Sequence, residues 1–370
     1  MAATDRATAF LTIDVDAIVA NWRRIRIEVG PKVEAAAVVK ADCYGLGGAR
    51  IVPALAAAGC RTFFVATIDE GIAIRKVVPE GVILVLGGPL DGAAADMTEH
   101  RLTPVLNSPE QIALWAGHAQ TLSRPLDAAL HLDTGMSRLG LDTPTVACLA
   151  ADPSLLSGIT PTLVMSHMAC ADELGHPKNP EQLATFTALS QQLGLNARLS
   201  LGASSTIFLG AGYHFDLVRP GAALYGLNPL PGQPNPMTSA VRLEAKILQV
   251  RDVDTPMTVG YGASHRVSAR GRIAVAAVGY ADGLFRSASN RGFGLIGGKR
   301  VPVVGRISMD LTTFDVSALP PDAVQPGALI QLIGHGQSAD ELAGQAQTIG
   351  YEILTALGRR YLRNYEGGAC

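Results

Sequence analysis

The stretch AAAVVK, residues 35–40, is the first of eight short apolar runs that alternate with Ala- and Leu-rich helical stretches. The other seven runs are residues 63–67, 82–87, 103–106, 127–133, 162–167, 198–202 and 216–225. A parallel strand connection needs a crossover of a dozen or more residues, which the helices supply. Eight such units are the number in a closed (β/α)8 barrel. The sequence therefore predicts a TIM-type α/β barrel; the alternative is a doubly wound open sheet, although no G-x-G-x-x-G follows the first run.

The segments on either side of the runs predict a second domain. Residues 10–13 read as a strand and residues 15–29 as a helix, and NPLPGQPNPM (228–237) holds four prolines that exclude a helix or a central strand. Beyond it lie short β-branched runs broken by glycine and one late helical stretch, at 246–253, 272–278, 301–304, 328–333 and 348–357. We predict a barrel over 14–235 and a mostly-β domain over 236–370, which the N-terminal strand within 1–13 joins.

Composition narrows the function classes. The 370 residues are 48% hydrophobic and 17% charged, with a net charge of −2, so the chain can bury large cores but has no basic surface for nucleic acid. We see no signal peptide and no apolar run of membrane-spanning length, and we expect a cytoplasmic protein. The five cysteines are odd in number and lack C-x-x-C spacing, so we expect free thiols and no metal site: Cys43, Cys60, Cys148, Cys170 and Cys370.

Reactive polar residues follow the predicted strands. The active site of a parallel barrel lies at the carboxyl ends of its strands, where these residues fall: Lys40, Arg138, His167, Ser204, Ser205 and Arg219. Taken singly, each has a structural explanation: a solvated strand end, a framework histidine, an ion-paired arginine. Taken together, with small residues after strands seven and eight, they favour a phosphorylated ligand or cofactor. Desolvation would lower the pKa of Lys40 and suit it to form a Schiff base.

The motifs around these residues resemble those of alanine racemases over almost the whole chain. They occur in the family's order: VVKADCYGLG (38–47), HLDTGMSRLG (131–140), SHMACADE (166–173), VRPGAALYG (218–226), VGYGASH (259–265), VGYADG (278–283), GRISMD (305–310) and YEILT (351–355). The resemblance implies a barrel that carries pyridoxal 5′-phosphate (PLP) and a C-terminal β domain.

The resemblance also implies catalytic roles. Lys40 matches the lysine that holds PLP covalently and acts as one of two acid/base groups at the substrate Cα, and Tyr261 matches the other. Racemisation needs a base on each face, because a single base tends to return the proton to the face that it left. The family pattern places Tyr261 on the partner subunit of a homodimer with shared active sites.

Further positions match cofactor- and substrate-binding residues. Those that resemble the phosphate-binding set are Tyr44, Ser204, Tyr351 and the amides of Gly221 and Ala222. Arg219 resembles the arginine that faces the pyridine nitrogen, with His167 supporting it; its guanidinium cannot accept a proton, so the nitrogen stays unprotonated. The positions that resemble substrate-binding or entrance residues are Arg138, the Met309 amide, Tyr280 and Asp310.

Two positions depart from the family pattern. His131 stands where many members have a lysine that becomes carbamylated and orients the arginine seven residues later, so Arg138 must be held by another group. Ser308 stands where many members have cysteine. Neither change removes a proposed catalytic group.

The function that the resemblance implies is interconversion of L- and D-alanine, which supplies or consumes D-alanine, for example for peptidoglycan. The nearest alternative is a racemase of the same fold acting on serine or another amino acid. A fold-related PLP decarboxylase would have a carboxylate where Arg219 stands. A PLP-binding homeostasis protein is less favoured, because it is typically a barrel without residues 236–370.

Overall fold

The computed structural model describes residues 3–368, so residues 1–2 and 369–370, including Cys370, lie outside the described residues. The helices are α1 Ala3–Arg6, α2 Val15–Val29, α3 Lys40–Gly45, α4 Gly48–Ala57, α5 Ile68–Val77, α6 Ala94–Glu99, α7 Pro109–Thr121, α8 Thr143–Ala151, α9 Lys178–Leu193, α10 Ala339–Ala346 and α11 Gly350–Thr355. The strands are β1 Ala9–Asp14, β2 Glu34–Ala35, β3 Ala37–Val38, β4 Thr62–Val65, β5 Val82–Val85, β6 Leu102–Leu106, β7 Leu126–His131, β8 Ile159–Met165, β9 Arg198–Ser200, β10 Leu217–Val218, β11 Val241–Val253, β12 Thr258–Val259, β13 His265–Arg266, β14 Gly271–Ala276, β15 Phe293–Ile296, β16 Lys299–Pro302, β17 Thr312–Asp315, β18 Leu329–Ile333 and β19 Leu362–Glu366.

Strands β3 to β9 form a parallel sheet in chain order, and β10 pairs in parallel with β2, which directly precedes β3. Backbone hydrogen bonds close the ring on both sides of β10. The Ala36 amide donates to the Val218 carbonyl at 2.9 Å, and the Arg219 amide donates to the Gly202 carbonyl at 2.7 Å. The predicted (β/α)8 barrel is therefore confirmed.

The barrel elements form where their sequences favour them. All four residues of β4, TFFV, are buried, as in a parallel sheet that is covered on both faces. Side-chain oxygens of Thr67, Ser108 and Asp142 cap the amino ends of α5, α7 and α8 by accepting backbone N–H bonds. These caps fix the residue at which each helix begins after the preceding strand.

One predicted strand is much shorter in the structure. We expected a strand over residues 216–225, but only Leu217–Val218 is extended and Ala222–Tyr225 is a 3-10 turn. Pro220 lacks the N–H that would continue the ladder, and the Leu224 amide donates to the Gly221 carbonyl at 2.9 Å instead. The proline-rich residues 228–237 form neither helix nor strand, as predicted.

A second, mostly antiparallel sheet contains strands from both ends of the described chain. Its order is β16-β15-β18-β11-β1-β19, with β14 and β17 extending from β11. The first strand, β1, pairs antiparallel with β11 and parallel with β19. The mostly-β character expected for this part of the chain is confirmed.

The described chain divides into two compact units. One comprises Ser239–Gly368 with the described residues up to Ala17, and the other comprises Ile18–Thr238. No helix within residues 3–368 has the length and apolar character to cross a membrane. The four described cysteines are free, and burial raises the pKa of the Cys43 and Cys60 thiols to about 12.

Candidate active site

Lys40 begins an unusual turn at the carboxyl end of the first barrel strand. One residue, Val39, separates Lys40 from the end of β3. The four residues after Lys40 have left-handed backbone angles, with φ between 52° and 57°. They are Ala41, Asp42, Cys43 and Tyr44. Left-handed geometry costs roughly 1–2 kcal/mol for each non-glycine residue, and such strain persists only where the surroundings enforce it. The turn places Lys40 at one end and Tyr44 at the other.

Two carboxylates hold this turn. Glu70 accepts a hydrogen bond from the Ala41 amide at 2.8 Å, and Asp42 accepts one from the Gly48 amide at 2.6 Å. Sequence reasoning missed both residues. The sequence did not single out Glu70 and Asp42, because acidic residues are common in the first turn of any helix.

The surroundings of Lys40 favour its neutral amine. Burial lowers the pKa of Lys40, the positive charge of Arg138 lowers it further, and Glu70 opposes both effects. A lysine must be unprotonated to attack a carbonyl carbon or to accept a proton. The structure thus supplies the electrostatic condition that the sequence predicted for Lys40.

Arg138 lies on a loop that is folded around one carboxylate. Asp133 Oδ1 accepts hydrogen bonds from the amides of Gly135, Met136 and Ser137 at 2.9–3.1 Å. Burial alone would raise the pKa of Asp133, but these amide bonds outweigh it and the pKa is lowered. The Arg138 side chain is exposed, so Asp133 fixes the loop and leaves the guanidinium open to a ligand.

His131 is a buried, neutral imidazole. Its Nδ1 lies 2.8 Å from Asn107 Oδ1, while Asn107 Nδ2 donates to the carbonyls of Leu86 and Val105. Burial, and then the charges of Arg219 and Arg138, lower the pKa of His131 to about 4. Because Asn107 presents its oxygen, Nδ1 donates and Nε2 keeps its lone pair. Sequence reasoning missed Asn107, although it is a polar residue that directly follows β6.

Arg219 is buried and held by backbone oxygens. Its guanidinium donates to the carbonyl oxygens of Ser166 and Ser200 at 2.5 and 2.9 Å, and also to the Ser200 hydroxyl. Burial lowers the pKa of Arg219 to about 10, so the group is charged at neutral pH. We expected His167 to support Arg219; the hydrogen bonds come from Ser166 and Ser200, which sequence reasoning missed. His167 is a half-buried neighbour whose pKa is lowered to about 3, first by burial and then by Arg219.

Four of the predicted phosphate-binding residues meet at the ends of strands β9 and β10. Ser204 Oγ accepts hydrogen bonds from the amides of Gly221 and Ala223 at 3.0 and 3.2 Å. A Cβ at Gly221 would lie 2.4 Å from the Tyr44 hydroxyl, so glycine is required for this approach. The adjoining residue, Ala222, begins the 3-10 turn. The result is a cradle of hydroxyls and small residues, defined by Tyr44, Ser204, Gly221 and Ala222.

The remaining predicted site residues lie in the other unit and have exposed side chains. Tyr261 is the most exposed, at 71%, on a short turn between β12 and β13. The others with exposed side chains are Tyr280, Met309 and Tyr351. Gly260 and Gly262, with φ of 76° and 69°, flank Tyr261 in left-handed conformations that favour glycine.

Arg360 links the two predicted entrance segments of that unit. It donates to both oxygens of the buried Asp282 at 2.6 and 2.9 Å and to Asp310 at 2.6 Å. Asp282 ends the turn that begins with Tyr280, and Asp310 follows Met309. Sequence reasoning missed Arg360, which has no motif of its own among the quoted segments.

Comparison with known families agrees with this arrangement. The family model described as the alanine racemase N-terminal domain matches residues 13–229, and the one described as the C-terminal domain matches residues 240–365. The chain belongs to the alanine racemase family. Racemases are isomerases, so the enzyme class expected from the motif resemblance is confirmed.

Relatives within the alanine racemase family match nearly the full chain. An alanine racemase of Rhodospirillum rubrum is 54% identical, with 98% of this chain and 97% of the relative covered. A catabolic alanine racemase of Mesorhizobium japonicum is 48% identical, with 98% and 94% covered.

Solved structures agree with the fold. An alanine racemase of Bartonella henselae, solved with covalently bound pyridoxal phosphate, is 40% identical with a TM-score of 0.94, covering 97% of this chain and all of that chain. A biosynthetic alanine racemase of Pseudomonas aeruginosa is 34% identical with a TM-score of 0.91, covering 98% of this chain and all of the other.

Proposed function

We propose that this protein interconverts L- and D-alanine with PLP held on Lys40. The observation that carries the proposal is the position of Lys40, half-buried at the barrel mouth with a lowered pKa, on the same left-handed turn as the Tyr44 hydroxyl of the cradle. The PLP-bearing relative and the 54% identical racemase support the cofactor and the substrate.

The residues present fit PLP. The cradle offers a serine hydroxyl, a tyrosine hydroxyl and a glycine without the Cβ that would fill the space, which suits a phosphate group. Arg219 offers a guanidinium charged at neutral pH, which suits an acceptor nitrogen such as that of pyridine. PLP, when bound, withdraws electrons from the substrate and so acidifies its Cα–H bond.

The protein's own groups would then move one proton. Lys40 takes or returns the Cα proton on one face of the substrate, and Tyr261 does so on the opposite face. Arg138 and the Met309 amide bind the substrate carboxylate, and Tyr280 and Tyr351 limit its size, which favours alanine. Arg219 cannot take up a proton, so it does not deepen the electron sink and favours return of the proton over side reactions.

We further propose a homodimer in which Tyr261 serves the Lys40 site of the partner subunit. The high exposure of Tyr261 on its own chain supports this arrangement. A two-fold interface would create two equivalent sites. Cytoplasmic location and supply of D-alanine for peptidoglycan stay predictions.

Two measurements test the function. Chiral analysis after separate incubation with L-alanine, L-serine and larger amino acids should show fastest loss of optical purity with alanine. Faster conversion of serine would favour the alternative racemase, and release of CO2 without racemisation would favour a decarboxylase. Borohydride reduction followed by peptide mapping should place a pyridoxyl group on Lys40; an adduct on another lysine contradicts the assignment.

A further inference from the structure

The carboxylate of Glu70 joins the ends of two neighbouring barrel strands. Its Oε1 accepts a hydrogen bond from the Ala41 amide, and its Oε2 accepts one from the Ala66 amide, both at 2.8 Å. Ala66 directly follows β4, and Ala41 directly follows Lys40. Hydrogen bonds to an ionised carboxylate are about twice as strong as neutral ones. Both oxygens of one side chain are thus used to fix backbone at the barrel mouth.

The position of Glu70 follows from the start of α5. Thr67 caps the helix by accepting a hydrogen bond from the Glu70 amide at 3.3 Å, which places Glu70 in the first turn. The last ladder bond between the two strands runs from the Val39 amide to the Phe64 carbonyl at 2.8 Å. Glu70 therefore bridges the segments that follow β3 and β4, immediately beyond the point where the pairing of these two strands stops.

The bridge matters because the backbone that follows Lys40 is strained. Four consecutive left-handed residues, each costing roughly 1–2 kcal/mol, need anchors at both ends of the turn. Asp42 holds the far end through the Gly48 amide, and Glu70 holds the near end at the residue bonded to Lys40. If the near anchor is lost, relaxation of the turn rotates Lys40.

We propose that Glu70 is a positioning residue that holds the left-handed turn and thereby aims Lys40 at the bound cofactor. This rests on the proposed function, in which Lys40 carries PLP. The same carboxylate also counteracts burial and Arg138, since its negative charge raises the pKa of Lys40. One side chain therefore positions the catalytic amine and partly offsets the lowering of its pKa.

The chain offers a matched control beside Glu70. Asp69 is an exposed carboxylate on the same helix turn, so Asp69→Asn removes an equal charge one residue away. Glu70→Gln removes the charge and turns an amide NH2 group toward one of the two N–H donors, and Glu70→Asp keeps the charge but cannot span both amides.

The test is hydrogen exchange of the full chain, with PLP bound and after its removal. Glu70→Gln should speed exchange in peptides covering residues 41–46 by about tenfold or more, as expected for loss of a hydrogen bond to a charged group. Asp69→Asn should leave these peptides unchanged. If Glu70→Gln does not fold, Glu70→Asp should give the same local increase.

A second readout separates positioning from simple stability. Glu70→Gln should bind PLP more weakly and shift the pH midpoint of the bound cofactor's visible absorbance downward, while Asp69→Asn should not. Unchanged exchange at 41–46 in both Glu70 variants, or the same changes in Asp69→Asn, would overturn the proposal. Borohydride mapping of the unmodified protein separates this from failure of the proposed function, because an adduct away from Lys40 contradicts the function whatever Glu70 does.

Discussion

The Tyr44 hydroxyl and Gly221 approach so closely that a methyl group on Gly221 would lie 2.4 Å from the tyrosine oxygen. Gly221→Ala must therefore displace Tyr44 from the cradle. Overpacking of this kind costs about 1–3 kcal/mol, so PLP should bind roughly tenfold more weakly or worse. Equilibrium titration of the cofactor-free protein with PLP measures the change.

The matched control for this prediction is Gly212→Ala. A Cβ at Gly212 meets no atom within 4 Å, and the residue lies in the same unit of the chain. PLP affinity should match that of the unmodified protein. Equal affinity in the two variants would show that Gly221 does not border the phosphate.

The neutral state of His131 predicts a pH dependence of stability. Its folded pKa of about 4 lies below the ordinary value of 6.5, so between these pH values the unfolded chain binds a proton that the folded chain does not. Stability should therefore fall as the pH drops from 6.5 toward 4, by up to about 1.4 kcal/mol per pH unit for this group. His167, with a pKa of about 3, contributes in the same direction.

His131→Gln should flatten this dependence. The Tm should drop less between pH 7 and pH 5 in the variant than in the unmodified protein, whatever the absolute Tm of each. His335→Gln, at an exposed position, is the control and should retain the full slope. Parallel Tm curves for His131→Gln and the unmodified protein would mean that His131 titrates normally.

The Arg360 contacts predict an effect on substrate binding. Arg360→Ala removes the ion pairs to the buried Asp282 and to Asp310, so both predicted entrance segments should loosen. We expect KM for alanine to rise several-fold with a smaller change in kcat, and the Tm to fall by a few degrees, because Arg360 is itself half exposed.

Arg359→Ala provides the comparison, since Arg359 is exposed and adjacent in the chain. Steady-state kinetics and thermal unfolding of the two variants should differ as described. A rise in KM that Arg359→Ala shares would point to a general effect of charge, not to the Asp282 and Asp310 contacts.

The shared active site can be tested by mixing two inactive variants. Lys40→Ala and Tyr261→Phe each remove one proton-transfer group, so each alone should be nearly inactive. If the two groups come from different subunits, half of randomly exchanged dimers are mixed and each mixed dimer has one intact site. Activity should recover to about a quarter of the unmodified level.

Subunit exchange in this mixture must be verified by native mass spectrometry. If mixed dimers are present and the mixture has no racemase activity, Tyr261 acts within its own chain. Mixtures kept under conditions without exchange serve as the control and should stay inactive.

The alternation of apolar runs and helical stretches predicted the barrel, because that pattern depends on local burial and on crossover length. All eight predicted runs overlap observed strands. The prediction for residues 216–225 was wrong beyond Val218, where Pro220 ends the ladder and Gly221 closes a tight turn. A hydrophobic run alone did not reveal this, because Ala222–Tyr225 is just as apolar in a buried turn as in a strand.

The candidate site was predictable where a reactive side chain falls at a strand end or in a family motif. The hydrogen-bond partners of a side chain were not predictable where they lie in a distant segment. Arg219 bonds the carbonyl of Ser166, 53 positions away, and Arg360 bonds Asp282 across 78 positions. Which carbonyl or carboxylate such a group meets depends on the folded chain, so local patterns carry no signal for it.

The place of β1 between β11 and β19 constrains the order in which the protein can assemble during synthesis. Phe10 pairs with Glu244 on one side and with Leu362 on the other, so β1 is synthesised well before either of the strands with which it pairs. Residues 18–238 are complete long before β19 is made and can close their ring first. Until β11 is made, both edges of the six-residue strand β1 are unpaired, and unpaired strand edges are prone to pair with other chains.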